Sequence, residues 1–411
     1  MESTKKGLYR WGVLAILVAA FTSTFFSRFV WSPLIGAASG EVGMSMADAG
    51  NLMSAFYFGY LFTQLPGGYL ADRFKPKFFL FGLVAMVGVM TFAMSYIQSY
   101  AIAYAVRFIG GFFGGAIMAF CSRMLSNYFE PKERGVAFGI LLASPSIGTL
   151  LANQIGPRVM NASGWRAAFQ VTGVIILVVA VLILLVIKNP KDVAQKTGEK
   201  VTLLDGIKNY FSNKQLVLMS IAGFLFMAIP AGFSTWANRF MVSPEAGAGI
   251  TATQAGMVMT VYAIVSIVGS MASGVIGKKF RINPKTFIMV VYLCCCASIL
   301  FFSACRSFGT LLLSGAVFGL FSCASSTQIT TWAVNIGGNK YAGTTSSLQN
   351  LLFQSSNVIF PTIAGSIIDS KTVDGVVMSY SGVWYMYAAL LVAAFAVMIF
   401  TNKQSAADSM K

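Results

Sequence analysis

Apolar runs of membrane-crossing length recur along the whole chain, separated by short polar interruptions. They cover 11–35, 48–71, 77–97, 100–126, 135–159, 166–187, 215–241, 253–276, 284–305, 308–332, 342–368 and 382–401. Each is long enough to cross about 30 Å of hydrocarbon as an α-helix. No strand-length alternation of apolar and polar positions competes with them, so the pattern predicts an all-α membrane protein with twelve transmembrane helices. The first run is too long for a signal h-region and has no small-residue cleavage site, so it is expected to stay as a span.

Polar positions inside these runs keep helical phase. Thr24, Arg28 and Trp31 fall on one face of the first helix, and Tyr57, Tyr60 and Gln64 on one face of the second. Tyr262, Ser266 and Ser270 line the eighth helix, Ser325, Gln328 and Trp332 the tenth, and Asn350, Gln354 and Asn357 the eleventh. Such stripes either join helices to one another or face a wet cavity. Helix contact suits the small Ser266 and Ser270, whereas a central cavity suits Arg28, Tyr60, Asn350 and Gln354.

The longest polar stretch, residues 188–214, divides the chain into a bundle over 1–187, a cytoplasmic linker and a bundle over 215–411. The halves resemble each other: AGNLMSAFYFGYLFTQLPGGYLADRF (49–74) aligns without a gap on AGMVMTVYAIVSIVGSMASGVIGKKF (255–280). Two pseudo-symmetric six-helix bundles with a site near the midplane would follow from such a repeat.

Composition sharpens the picture. The chain of 411 residues is 56% hydrophobic and 10% charged, with a formal net charge of +16. With the N-terminus in the cytoplasm, only Arg158, Arg166, Arg306 and Lys371 of the 29 Lys and Arg fall outside, and Arg28, Arg107 and Arg239 fall within helices. The rest are cytoplasmic, which is the positive-inside pattern, with both termini inside. The basicity therefore reports orientation, not nucleic-acid binding. With no histidine and no paired-cysteine spacing, neither a metal site, a cofactor nor an enzyme's nucleophile–base constellation is expected.

The thirteen carboxylates all fall at helix ends, in loops or in tails. Arg28 thus has no internal counter-ion, although a buried guanidinium strongly favours pairing. Its expected partner is the cargo: a carboxylate, sulfonate or phosphate that accepts two parallel hydrogen bonds. The plainer alternative is an arginine held by backbone carbonyls and water. Arg107 is read as structural or gating. Arg239 is read as lying near the outer mouth, attracting anions or snorkelling to the interface.

GGYLADRFKPK (67–77) resembles the signature between helices 2 and 3 of the major facilitator superfamily, with Lys75 in place of the usual glycine. RFIGGFFGG (107–115), PKERGVAFG (131–139) and GWRAAF (164–169) are similar to further signatures of that family. Arg28 ahead of Ala49-Gly50, TWAVN (331–335) and SLQNLLFQSSNVIFPTIAG (347–365) resemble its organic anion:cation symporter branch. The resemblance implies a monomeric secondary transporter in a bacterial cytoplasmic membrane, working by rocker-switch alternating access. It implies substrate contacts from Arg28, Trp31, Tyr57, Tyr60, Gln64, Gln328, Trp332, Asn350 and Gln354. It also implies a cytoplasmic latch of Asp72, Arg73, Glu133 and Arg134, and bending or close packing at Gly111, Gly114, Gly115 and Pro145.

The chain departs from that branch at three positions. Ser27 stands where the branch has an acid, Gly114 where it has a glutamate, and Pro145 where it has a substrate-contacting glutamine. Both missing acids couple transport to protons in the branch, so anion exchange or uniport fits these residues better than proton symport. Alternatives that stay open are a proton-coupled symporter, a multidrug exporter and a transporter-like anion sensor.

Overall fold

The computed structural model describes residues 2–188, 203–279, 283–337 and 342–402. The chain divides into two compact units, Met1–Lys196 and Thr197–Lys411.

In unit 1 the first apolar run forms α1 (Glu2–Phe29) and α2 (Trp31–Val42), broken at Val30. Pro33, in the first turn of α2, offers no N–H to the carbonyl of Phe29 and crowds it, which is why the helix does not run through. α3 (Met46–Arg73) starts on a capping box in which Ser45 and Asp48 exchange side-chain and backbone hydrogen bonds. α4 (Pro76–Ala93) and α7 (Pro131–Leu141) each begin on a proline, which lacks the N–H that a first turn leaves unused. Between them the fourth run forms α5 (Tyr100–Gly115) and α6 (Ile117–Tyr128). The fifth run breaks again after Leu141. Pro145 cannot donate to the Leu141 carbonyl, and the hydroxyl of Ser144 does so instead at 2.7 Å.

Helix α8 (Ser144–Val186) holds two apolar runs joined at Gly164 (φ 85°, ψ 166°), a conformation that only glycine adopts readily. That turn positions the next two residues as a clasp. The Trp165 indole donates to Glu41 at 2.6 Å, and Arg166 donates to Glu41 at 2.9 and 3.1 Å. Arg166 also reaches the carbonyls of Ser95 and Ile97, so GWRAAF ties α2, the connection after α4 and α8 together.

Unit 2 repeats the plan. Its helices are α9 (Leu203–Ser212), α10 (Lys214–Val242), α11 (Ala252–Lys279), α12 (Pro284–Ala304), α13 (Phe308–Ser322), α14 (Ala324–Gly337), α15 (Ala342–Asp369) and α16 (Ser381–Ile399). The start of α11 matches that of α3 at the spacing of the sequence repeat, and α13–α14 breaks midway as α5–α6 does. Two features differ from expectation. Part of the expected linker 188–214 forms α9, with Tyr210 buried and bonded to Ser220, while 189–202 lies outside the described residues. A two-residue hairpin, β1 (Thr372–Val373) with β2 (Val376–Val377), turns on Asp374-Gly375, a pair suited to positive φ.

Among the described residues, nine helices are long and apolar enough to cross a membrane. One of them, Val136–Val186, contains two of the twelve expected runs, and the runs over 48–71 and 308–332 form α3 and the α13–α14 pair.

Glycines set the closest helix approaches. A Cβ at Gly111 would lie 1.9 Å from the Phe56 carbonyl oxygen and one at Gly115 2.2 Å from that of Tyr60, so α5 presses directly on the α3 backbone. In unit 2, Gly319 meets the Tyr262 backbone in the same way.

Gly164 has open space around its Cα, so a methyl group there meets no neighbour and the cost is purely conformational. Gly164→Ala is expected to destabilise unit 1 by about 1–3 kcal/mol, read as a lower unfolding midpoint in detergent. An unchanged midpoint would show that the clasp does not need this turn.

Candidate functional site

Arg28 lies in the last turn of α1, two residues before the break at Val30. It is 1% exposed. Its guanidinium carbon lies 4.1 Å from the Tyr57 ring centroid, 4.9 Å from Phe25 and Tyr60, 5.0 Å from Phe56 and 6.0 Å from Phe29. Aromatic faces attract a cation but accept no conventional hydrogen bonds. Nε and Nη2 of Arg28 are buried without a hydrogen-bond partner. These two donors lie along one edge of the planar group, the edge that matches the two oxygens of a carboxylate. The hydroxyl of Thr24, one turn earlier, is also buried and without a partner.

Arg107 on α5 is equally buried, and its donors are used. Nη1 donates to the Ser27 carbonyl and Nη2 to the Arg28 carbonyl, both at 2.9 Å, and Nε reaches the Leu52 carbonyl at 3.4 Å. The first two are carbonyls of the last turn of α1, at the break. Arg107 therefore braces the backbone that carries Arg28. Its guanidinium lies 5.1 Å from the Phe56 ring, which both arginines thus approach.

Ser27 turns away from this cluster. Its hydroxyl shares a 2.5 Å hydrogen bond with Thr91, which donates to the Val87 carbonyl within α4. Gly114 faces Thr24 and Phe56, at 3.0 and 3.7 Å from the Cβ it lacks. The ion pairs given by the described residues, Arg10–Glu133 and Arg166–Glu41, involve neither Arg28 nor Arg107.

The other candidates scatter. Tyr57 and Tyr60 stand against Arg28, and Gln64 is half-buried further along α3. Trp31 makes no ring contact with Arg28 and is held elsewhere. Its indole donates to the Ala49 carbonyl at 2.9 Å and its ring packs near Phe169. In unit 2, Gln328 donates to the Ser273 carbonyl and Trp332 is buried. Asn350 is exposed, and half-buried Gln354 accepts from Asn357 at 2.9 Å. Arg239 is half-buried near the end of α10, with Nε buried and without a partner.

At the start of α7 Glu133 binds Arg10 of α1 through two hydrogen bonds of 2.7 and 2.8 Å. Arg134 caps α6 by donating to the Phe129 and Ser126 carbonyls. Arg73 is exposed, with its guanidinium 4.5 Å from the Tyr69 ring, and the Asp72 side chain lies outside the described residues. Sequence reasoning missed Arg10, Thr91 and the rings of Phe25, Phe29 and Phe56. The rings had a signal: Phe25 and Phe29 flank Arg28 within one turn, and Phe56 adjoins Tyr57.

The two arginines should behave oppositely on truncation. Arg107→Met leaves two carbonyls unmet and is expected to cost about 1–3 kcal/mol. Arg28→Met gives up cation–π contacts but removes a buried charge with unmet donors, and should stay within about 1 kcal/mol of the parent. Unfolding midpoints in detergent check both, and an equal loss in the two variants would contradict this division of roles.

The family model described as Major Facilitator Superfamily matches residues 16–361 and 245–408. A probable galactarate/D-glucarate transporter of Bacillus subtilis is 22% identical, over 89% of this chain and 87% of its own length. The 3-(3-hydroxy-phenyl)propionate transporter of Escherichia coli is 25% identical over 90% of both chains, and a probable sulfoacetate transporter of Cupriavidus necator is 22% identical over 97% of this chain and 95% of its own. Among solved structures, a bacterial homologue of the human lysosomal transporter Spinster superposes with a TM-score of 0.74 at 17% identity, covering 98% of this chain and 96% of that one. The nucleoside transporter NupG gives 0.77 at 15% identity, covering 95% and 98%. The chain is an all-helical, multi-pass membrane protein, a transporter and not an enzyme, and it belongs to the major facilitator superfamily.

Proposed function

We propose that this protein is a secondary transporter of a small organic anion across a bacterial cytoplasmic membrane, working by alternating access with twelve transmembrane helices and both termini inside. The observation that carries the reading is the Nε–Nη2 edge of Arg28, buried, unpartnered and without a carboxylate beside it among the described residues. A carboxylate or sulfonate supplies the two acceptors and the charge that the bundle lacks. Tyr57 and Tyr60 enclose the anion, Thr24 offers a hydroxyl, and Gln64 extends the polar stripe along α3. Asn350 and Gln354 are the second unit's candidate contacts. A fork this closed needs its covering rings to part before cargo can enter, and alternation supplies that motion.

Coupling follows from what stands beside Arg28. Ser27 is bonded to Thr91, Gly114 carries no side chain, and neither can hold a transferable proton at neutral pH. Neutralising Arg28 is then left to the cargo, so the loaded carrier reorients more readily than the empty one. That asymmetry favours exchange of one anion for another, with uniport the weaker mode.

Liposomes preloaded with candidate carboxylates and sulfonates test this. Uptake of labelled anion should require anion inside and need no imposed pH gradient. Arg28→Lys should lower it by at least about tenfold, because an ammonium cannot present the same planar edge. Uptake of a neutral sugar or a cation, indifferent to Arg28, would overturn the anion reading. Strict dependence on a proton gradient for a fully ionised cargo would overturn exchange.

A further inference from the structure

Resting on the anion reading, we infer that the cargo is a dianion: Arg107 supplies the second positive charge of the site, although it makes no contact with cargo. Both guanidinium carbons lie about 5 Å from the Phe56 centroid, so they are no more than about 10 Å apart. Arg28 is 1% and Arg107 2% exposed. At that separation in a poorly screened interior each guanidinium acts electrostatically on whatever binds the other.

The carbonyls of Ser27, Arg28 and Leu52 satisfy the donors of Arg107 but carry no net charge. The partial negative charge that a helix end would give the last turn of α1 is largely offset by the start of α2 immediately after the break at Val30. Glu133 is occupied by Arg10 and Glu41 by Arg166, so neither of these carboxylates is spent on Arg28 or Arg107. The interior around Phe56 is thus doubly positive. A monoanion on the Arg28 fork leaves one charge uncompensated, and a second anionic group on the same small molecule removes it. Cargo with two acidic groups on a short skeleton, either two carboxylates or a carboxylate and a sulfonate, fits this charge pattern. Arg107 is accordingly a positioning and charge-setting residue, distinct from Arg28, which makes the contact.

Matched pairs test the inference: acetate with malonate, methanesulfonate with sulfoacetate, and benzoate with phthalate. Apparent affinity is read from the ligand dependence of the unfolding midpoint, on purified full-length protein near neutral pH. The dianion of at least one pair should bind about tenfold more tightly than its monoanion. Arg107→Gln, which keeps donors for the carbonyls and loses the charge, should bring that ratio close to unity, while Arg107→Lys should retain it. If Arg107→Gln does not fold, the ratio in the parent protein and in Arg107→Lys decides. Equal binding of monoanion and dianion, abolished by Arg28→Met, would overturn the dianion inference and leave the organic-anion reading standing. Binding of no anion, or binding indifferent to Arg28, would overturn both.

Discussion

Two guanidinium groups buried around one phenylalanine ring are the constraint on which the rest of unit 1 depends. A bilayer-spanning bundle tolerates a buried cation only where something meets its charge and its donors. Arg107 meets its donors with backbone carbonyls, those of Ser27 and Arg28 in the last turn of α1, where Pro33 leaves the Phe29 carbonyl without its helical donor. The break at Val30 follows from Pro33, and the close approach of α5 that brings Arg107 within reach follows from Gly111 and Gly115 pressed on the α3 backbone. Proline, paired glycines and arginine therefore form one device, whose product is a rigid backbone under Arg28.

Arg28 is left as the exception. Five aromatic rings surround it, which eases the burial of the charge while leaving the Nε–Nη2 edge without acceptors. That arrangement suits a ligand that comes and goes. A permanent carboxylate partner would compete with the anionic cargo we propose, whereas rings hold the guanidinium in place and leave its fork open. The departure at Gly114 belongs to the same logic, since a side chain there would stand against Thr24 and Phe56, beside this cation, and an acid would make neutralisation an internal matter.

Much of this was legible in the chain. The helices followed from runs of apolar residues, the two units from a polar stretch and an ungapped repeat, and the importance of Arg28 from the absence of any acid inside a span. What was not legible depended on contacts made only once the helices pack. Helical phase placed Trp31 beside Arg28, whereas its indole donates to Ala49 and its ring lies near Phe169. Partners distant in sequence, such as Arg10 for Glu133 and Thr91 for Ser27, leave no local pattern, because their pairing is fixed only once the helices pack. The rings around Arg28 were visible as residues but not as a group, since phenylalanine in an apolar run ordinarily reports lipid or core.

The most direct measurement is a structure of the protein with an organic anion bound. The account predicts two oxygens of one acidic group within hydrogen-bond distance of Nε and Nη2 of Arg28, with Arg107 still on the Ser27 and Arg28 carbonyls. An anion seated elsewhere, with the Arg28 edge satisfied by water or backbone, would contradict it.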